Sequence, residues 1–137
     1  MKDLQKKVLK LVGQKLALAG SVTADGRPNV KAMLIARREG VKTFYFASNV
    51  SSIRYRQYLA NPNACLYFYR RILYRGVMLE GTMEAFTDEY HRKLIWNKKM
   101  DKVYLNGGMN EPDYGVLRVT ATSGPYYYIL RYESCEV

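Results

Sequence analysis

A chain of 137 residues, 48% hydrophobic and 25% charged, has the size of one domain (1–137) with its own core and is short for two. No stretch reaches the roughly 18 uncharged apolar residues of a membrane helix, and Met1-Lys2-Asp3-Leu4-Gln5-Lys6-Lys7 lacks the apolar run and cleavage site of a signal peptide, so a cytoplasmic location is expected. The net charge of +10 points to anionic partners and leaves their class open among phosphorylated cofactors, nucleic acid and anionic membranes.

In chain order, Leu4, Val8, Leu11 and Val12 fall at helical spacing between Asp3 as a cap and Gly13 as a stop. The period then shortens. Leu16 to Thr23, Val30 to Ala36 and Thr43 to Ala47 read as β-strands separated by Asp25-Gly26 and Glu39-Gly40. Ser52 to Leu59 suits a short helix that ends at Asn61-Pro62-Asn63, and Ala64 to Tyr69 returns to strand. Arg75 to Phe86 predicts a long strand with Val77, Leu79, Gly81, Met83 and Ala85 on one face, where Gly81 marks a bulge or a close backbone approach. A helix is expected from Thr87-Asp88-Glu89 to near Met100. After a loop from Asn106 to Gly115, Val116 to Thr122 and Tyr126 to Tyr132 read as two strands broken by Ser123-Gly124-Pro125. The pattern implies a mainly β fold with flanking helices, a six- to seven-stranded antiparallel barrel whose closure hides strand edges.

The most informative stretch is Phe44-Tyr45-Phe46-Ala47-Ser48-Asn49-Val50-Ser51-Ser52-Ile53-Arg54. An aromatic strand runs through a hydroxyl-rich turn into a helix, where backbone N–H groups and the helix dipole favour an anion. Arg54 in the first helical turn is unfavourable for the bare helix and is offset by a bound phosphate. The plainer reading makes Ser51 or Ser52 an ordinary N-cap and Arg54 a solvated side chain.

Other chemistry is sparse. Cys65 and Cys135 form no C-x-x-C pair, and with His91 the only histidine neither a disulfide framework nor a metal site is expected. No nucleophile motif accompanies His91, so no catalytic residue is assigned; the common Gly-rich nucleotide loops are missing as well. Thirteen tyrosines, several beside arginines as in Tyr67-Phe68-Tyr69-Arg70-Arg71, suit a planar cofactor, single-stranded nucleic acid, or simply a covered barrel surface or dimer interface.

Together these residues resemble the pyridoxamine 5′-phosphate oxidase-like, flavin mononucleotide (FMN)-binding split β-barrel family over nearly the whole chain. The matching segments are Asp25-Gly26-Arg27-Pro28 before Lys31-Ala32-Met33-Leu34-Ile35, then Phe44 to Arg54 and Asn61-Pro62 before Ala64 to Tyr69. Arg75-Gly76-Val77 with Glu80-Gly81, and Glu111-Pro112-Asp113-Tyr114 before Val116-Leu117-Arg118-Val119, follow in the same order. The resemblance implies a homodimer with two FMN sites at its interface and an oxidoreductase or flavin reductase activity. It places Lys31, Ser48, Ser52 and Arg54 at the phosphate, and Met33 and Leu34 at the isoalloxazine edge through backbone groups. Tyr74, Arg75 and Gly76 would reach the cofactor bound mainly by the other subunit, and Trp96 would either cover the pocket or fill the core. Arg131-Tyr132-Glu133-Ser134-Cys135 does not resemble the family's Arg-containing substrate segment, which argues against pyridoxamine or pyridoxine phosphate as substrate. Alternatives are a non-enzymatic module for single-stranded nucleic acid, or the same fold holding haem or a deazaflavin.

Overall fold

The computed structural model describes residues 3–71, 75–128 and 131–136. Helix α1 (Asp3–Val12) leads into strands β1 (Leu16–Val22), β2 (Pro28–Leu34), β3 (Arg37–Glu39) and β4 (Thr43–Asn49). Helix α2 (Ile53–Ala60) is followed by β5 (Asn63–Arg70), β6 (Arg75–Phe86) and α3 (Glu89–Ile95). Two short 3₁₀ helices, Lys98–Lys102 and Gly108–Asn110, precede β7 (Tyr114–Tyr128) and β8 (Arg131–Glu136).

All strand pairs are antiparallel, in the order β2-β1-β5-β6-β7-β4-β3, with β8 added on β7. The two ends of that order, β2 and β3, are consecutive in the chain. Ile35 and Ala36 join them, the Ile35 N–H bonding to the Lys15 carbonyl at 2.8 Å and the Ala36 N–H to the Tyr45 carbonyl at 2.8 Å. One run of chain therefore leaves the first edge and enters the last, which makes the sheet a split barrel. Alternation along β4 separates two cores. Phe44 and Phe46 point inward to meet Val8, Leu11 and Val12 of α1 together with Leu66, Phe68, Val77, Leu79 and Leu117. Tyr45 points outward into a second cluster with Ile95, Met100, Tyr104, Tyr114 and Val116.

Strand β6 keeps the expected boundaries and its Val77, Leu79 and Met83 are buried. Its register to β7 shifts between Glu80 and Gly81, leaving Thr122 as the extra residue. A side chain at Gly81 would overlap the Thr120 carbonyl, so both expected roles of this glycine hold. The expected break at Ser123-Gly124-Pro125 is instead continuous strand, held by pairing to β6 and β8. Glu80 pairs with Ser123 and Val77 with Tyr126 on the β6 side, and Ser123, Gly124 and Pro125 pair with Glu136, Cys135 and Ser134 on the β8 side. Strand β3, all charged, was not foreseen; it exists by pairing with Thr43, Phe44 and Tyr45. The helix expected to run to near Met100 stops at Ile95, and a 3₁₀ turn carries the chain on.

Candidate functional site

Ser48 ends the inward-facing series Phe44, Phe46, Ser48 on β4, so the alternation that fills the core delivers a hydroxyl at the barrel's end. It is buried, and its Oγ lies 3.2 Å from Ser52 Oγ. Ser52 has extended backbone and caps α2, its Oγ accepting the Tyr55 N–H at 3.1 Å. The first turn of α2 holds no acidic residue, and helix geometry gives the Ile53 and Arg54 N–H groups no acceptor within the helix. The positive end of α2 is thus met by two hydroxyls and no carboxylate of its own. Ser51 is engaged differently. Its N–H donates to Asp113 Oδ1 at 2.8 Å and its hydroxyl to Asp113 Oδ2 at 2.9 Å, while the Val50 N–H donates to the Asp113 carbonyl at 2.8 Å.

Lys31 and Arg54 line one cavity of about 290 Å³, together with Ala19, Ser21, Asn29 and Gln57. Lys31 pairs with Ala19 and Met33 with Ala17, so both project from the face of β2 that faces the core. Met33 is buried there, whereas Lys31 lies farther toward α2 and is exposed. Ser21 donates to Gln57 Oε1 at 2.6 Å, fixing one wall. No acidic residue lines the cavity, and among the described residues neither Lys31 nor Arg54 makes an ion pair. The cavity joins two cations to the first residues of α2, a donor set suited to a phosphate, while Ser48 and Ser52 are not among its lining residues.

Leu34 is exposed on β2, the end strand of the ladder. Its outer edge has no strand partner among the described residues, so backbone N–H and C=O groups there are open to a ligand. Val30, Leu34 and Ile53, 70%, 66% and 75% exposed, add an apolar surface on β2 and α2. Arg75 and Gly76 are not brought to the Lys31–Arg54 cavity within one chain. Lys31 stands in a cross-strand row with Ala19, Leu66 and Leu79, and Gly76 lies three strands from β2 and along β6 from that row. The Tyr67 ring covers Gly76 where a side chain would stand. Tyr74 lies outside the described residues.

Behind the turn, the second cluster supplies rigidity. Tyr114 pairs with Asn49 and its hydroxyl donates to the Arg92 carbonyl at 2.9 Å. Burial pushes the Tyr114 phenol up to about 12. The Trp96 ring packs 5.3 Å from Tyr114 and 6.2 Å from Tyr104, which places it in the packing of this cluster. His91 stacks on Phe86 at 3.7 Å, and its Nδ1 lies 2.8 Å from Asp88, so it serves the start of α3. Sequence reasoning gave Asp113 no role. Its only signal was its place in Glu111-Pro112-Asp113-Tyr114, because a contact to Ser51 across 62 positions leaves no local pattern.

Comparison with known proteins agrees with this architecture. Residues 2–127 match the family model for pyridoxamine 5′-phosphate oxidase. A Clostridium acetobutylicum protein related to general stress protein 26 of B. subtilis, of the pyridoxinephosphate oxidase family, is 30% identical over 97% of this chain and 96% of its own, with a TM-score of 0.85. A haem-binding protein from Mycobacterium smegmatis shares the fold at TM-score 0.79 and 11% identity, over 99% of this chain and 59% of that one. The pyridoxine/pyridoxamine 5′-phosphate oxidase of Gluconobacter oxydans is 38% identical over 65 residues, 47% of this chain and 32% of that enzyme. The match therefore spans about a third of this curated relative's length. By the family match, the near full-length relative and the split barrel itself, this chain belongs to the pyridoxamine 5′-phosphate oxidase family.

Proposed function

We propose that the protein binds FMN as a cytoplasmic homodimer and acts as an FMN-dependent oxidoreductase or flavin reductase. The observation that carries this reading is a cavity lined by both Lys31 and Arg54 and free of carboxylates, with the Ser48–Ser52 hydroxyl pair at the turn that opens α2. Lys31 and Arg54 neutralise the phosphate, and Ser48 and Ser52 hydrogen-bond to it at the start of α2. The open edge of β2 at Met33 and Leu34 orients the ring through backbone groups. A second copy covers the exposed Val30, Leu34 and Ile53 and brings Tyr74, Arg75 and Gly76 to the other end of the cofactor. When bound, FMN supplies the hydride or single-electron chemistry, so the chain needs no acid or base of its own to be active.

Haem is less well supported. The only histidine, His91, is stacked on Phe86 and engaged by Asp88, away from the cavity residues. Nucleic acid is likewise less well supported, since Tyr67 and Tyr69 stack on each other at 6.0 Å and Tyr126 is buried.

The test is titration of purified protein with FMN, followed by flavin fluorescence and visible absorbance. Quenching at micromolar protein is expected, and its absence overturns the reading. The Lys31→Ala/Arg54→Ala double variant should lose about 3 kcal/mol of binding free energy, roughly a hundredfold in affinity. Unchanged affinity puts the phosphate elsewhere.

A further inference from the structure

The turn between β4 and α2 offers two serines, Ser51 and Ser52, that are equally suited by chemistry to cap the helix. The structure uses only Ser52 for this, while the Ser51 N–H and hydroxyl both donate to Asp113. Asp113 is itself fixed: it precedes β7, where Tyr114 pairs with Asn49, and the Tyr114 N–H bonds to the Glu111 carbonyl at 3.0 Å. Both carboxylate oxygens and the backbone carbonyl of one residue thus hold Val50 and Ser51.

We propose that Asp113 is a positioning residue for the phosphate subsite. By removing Ser51 from competition for the cap, it sets the register that places Ser52 Oγ beside Ser48 Oγ and aims both hydroxyls with the first N–H groups of α2. This role rests on the FMN reading above and deepens it. A carboxylate near an anion opposes binding through its charge, so geometry and charge make opposite predictions for its removal. Asp113 acts by geometry: its two oxygens are already spent on Ser51 donors, which spreads the negative charge into hydrogen bonds.

The experiment compares FMN with riboflavin, which lacks only the phosphate, in wild-type protein and in Asp113→Ala, Asp113→Asn and Ser51→Ala. The readout is the ratio of the two dissociation constants, which a general loss of stability does not move. Wild type should prefer FMN at least tenfold. Asp113→Ala should lose most of that preference with riboflavin affinity kept, whereas Asp113→Asn, which retains an acceptor for the Ser51 N–H, should fall between. Ser51→Ala, which removes the competing hydroxyl and keeps its N–H bonded, should stay near wild type. If Asp113→Ala does not fold, Asp113→Asn carries the test. A wild-type preference kept in full by the Asp113 variants, or FMN binding tightened in them, overturns the positioning role alone. A wild type without any preference for FMN overturns the phosphate reading, and the positioning role with it.

Discussion

Lys31 is exposed and Arg54 half-buried, although they line the same cavity. Solvent screens an exposed charge more strongly than a sheltered one, and the guanidinium binds a phosphate through two parallel N–H groups where the ammonium offers a point charge. Arg54→Ala should therefore cost about 2 kcal/mol of FMN binding and Lys31→Ala about 1 kcal/mol. Arg54→Lys should recover only part of the loss. Equal effects of the two alanine variants in fluorescence titrations would show that both cations sit in the same screening environment. Arg54 was legible in the sequence because a cation in the first turn of α2 is locally unfavourable and asks for a partner, whereas Lys31 on β2 was named only by the family resemblance. Asp113 was not, since a long-range hydrogen bond leaves no periodic trace.

The strand–turn–helix unit β4–α2 joins a fold role to the candidate site, and Ser52 is where the two meet. Losing the cap in Ser52→Ala should destabilise the protein by about 1 kcal/mol in urea unfolding. Ser52→Asp should restore the cap, and it adds a favourable charge at a helix start that has no acid in its first turn. In the same protein that carboxylate repels a phosphate, so FMN binding should fall below that of Ser52→Ala. Stability and binding moving in opposite directions would separate the capping function from the ligand function. Most elements could be read from period and punctuation: α2 and β6 lie within a residue of the expected limits. The misreadings share a cause. At β7 the turn-like Ser123-Gly124-Pro125 is overridden by pairing with β6 and β8, and β3 has no apolar pattern at all, being held by its pairing with β4. Both depend on a neighbouring strand that local sequence does not specify.

For the whole molecule, assembly and alkaline stability follow from the surface and the core. Val30, Leu34 and Ile53 are exposed near the cavity, and sedimentation should find a dimer that Val30→Glu/Leu34→Glu converts to monomer. A wild-type monomer would remove the proposed contribution of Arg75 and Gly76 from a second subunit. Burial raises the phenols of Tyr58 and Tyr114 to about 12, and the Tyr58 hydroxyl donates to the Gly20 carbonyl at 2.8 Å. A folded-state value above the unfolded one means that these groups stabilise the fold fully below about pH 10, the ordinary tyrosine value. That contribution is lost as pH rises from there toward 12. Ultraviolet titration of tyrosinate should show a late component from Tyr58 and Tyr114 near pH 12, together with loss of folded circular dichroism. Ionisation of all tyrosines in one step near pH 10 would contradict the burial of these two.

The link between Ser51 and Asp113 also sets an order of events during synthesis. Strand β4 and the turn that follows it are made early, yet their partners are Tyr114 to Thr120 of β7 and the Asp113 carboxylate. Contacts of such long sequence separation form late, after the closure of a long loop. A nascent chain carries the serines of the site well before it carries the residues that fix them. On the proposed FMN reading, cofactor capture waits until β7 has left the ribosome, when the barrel can close as well.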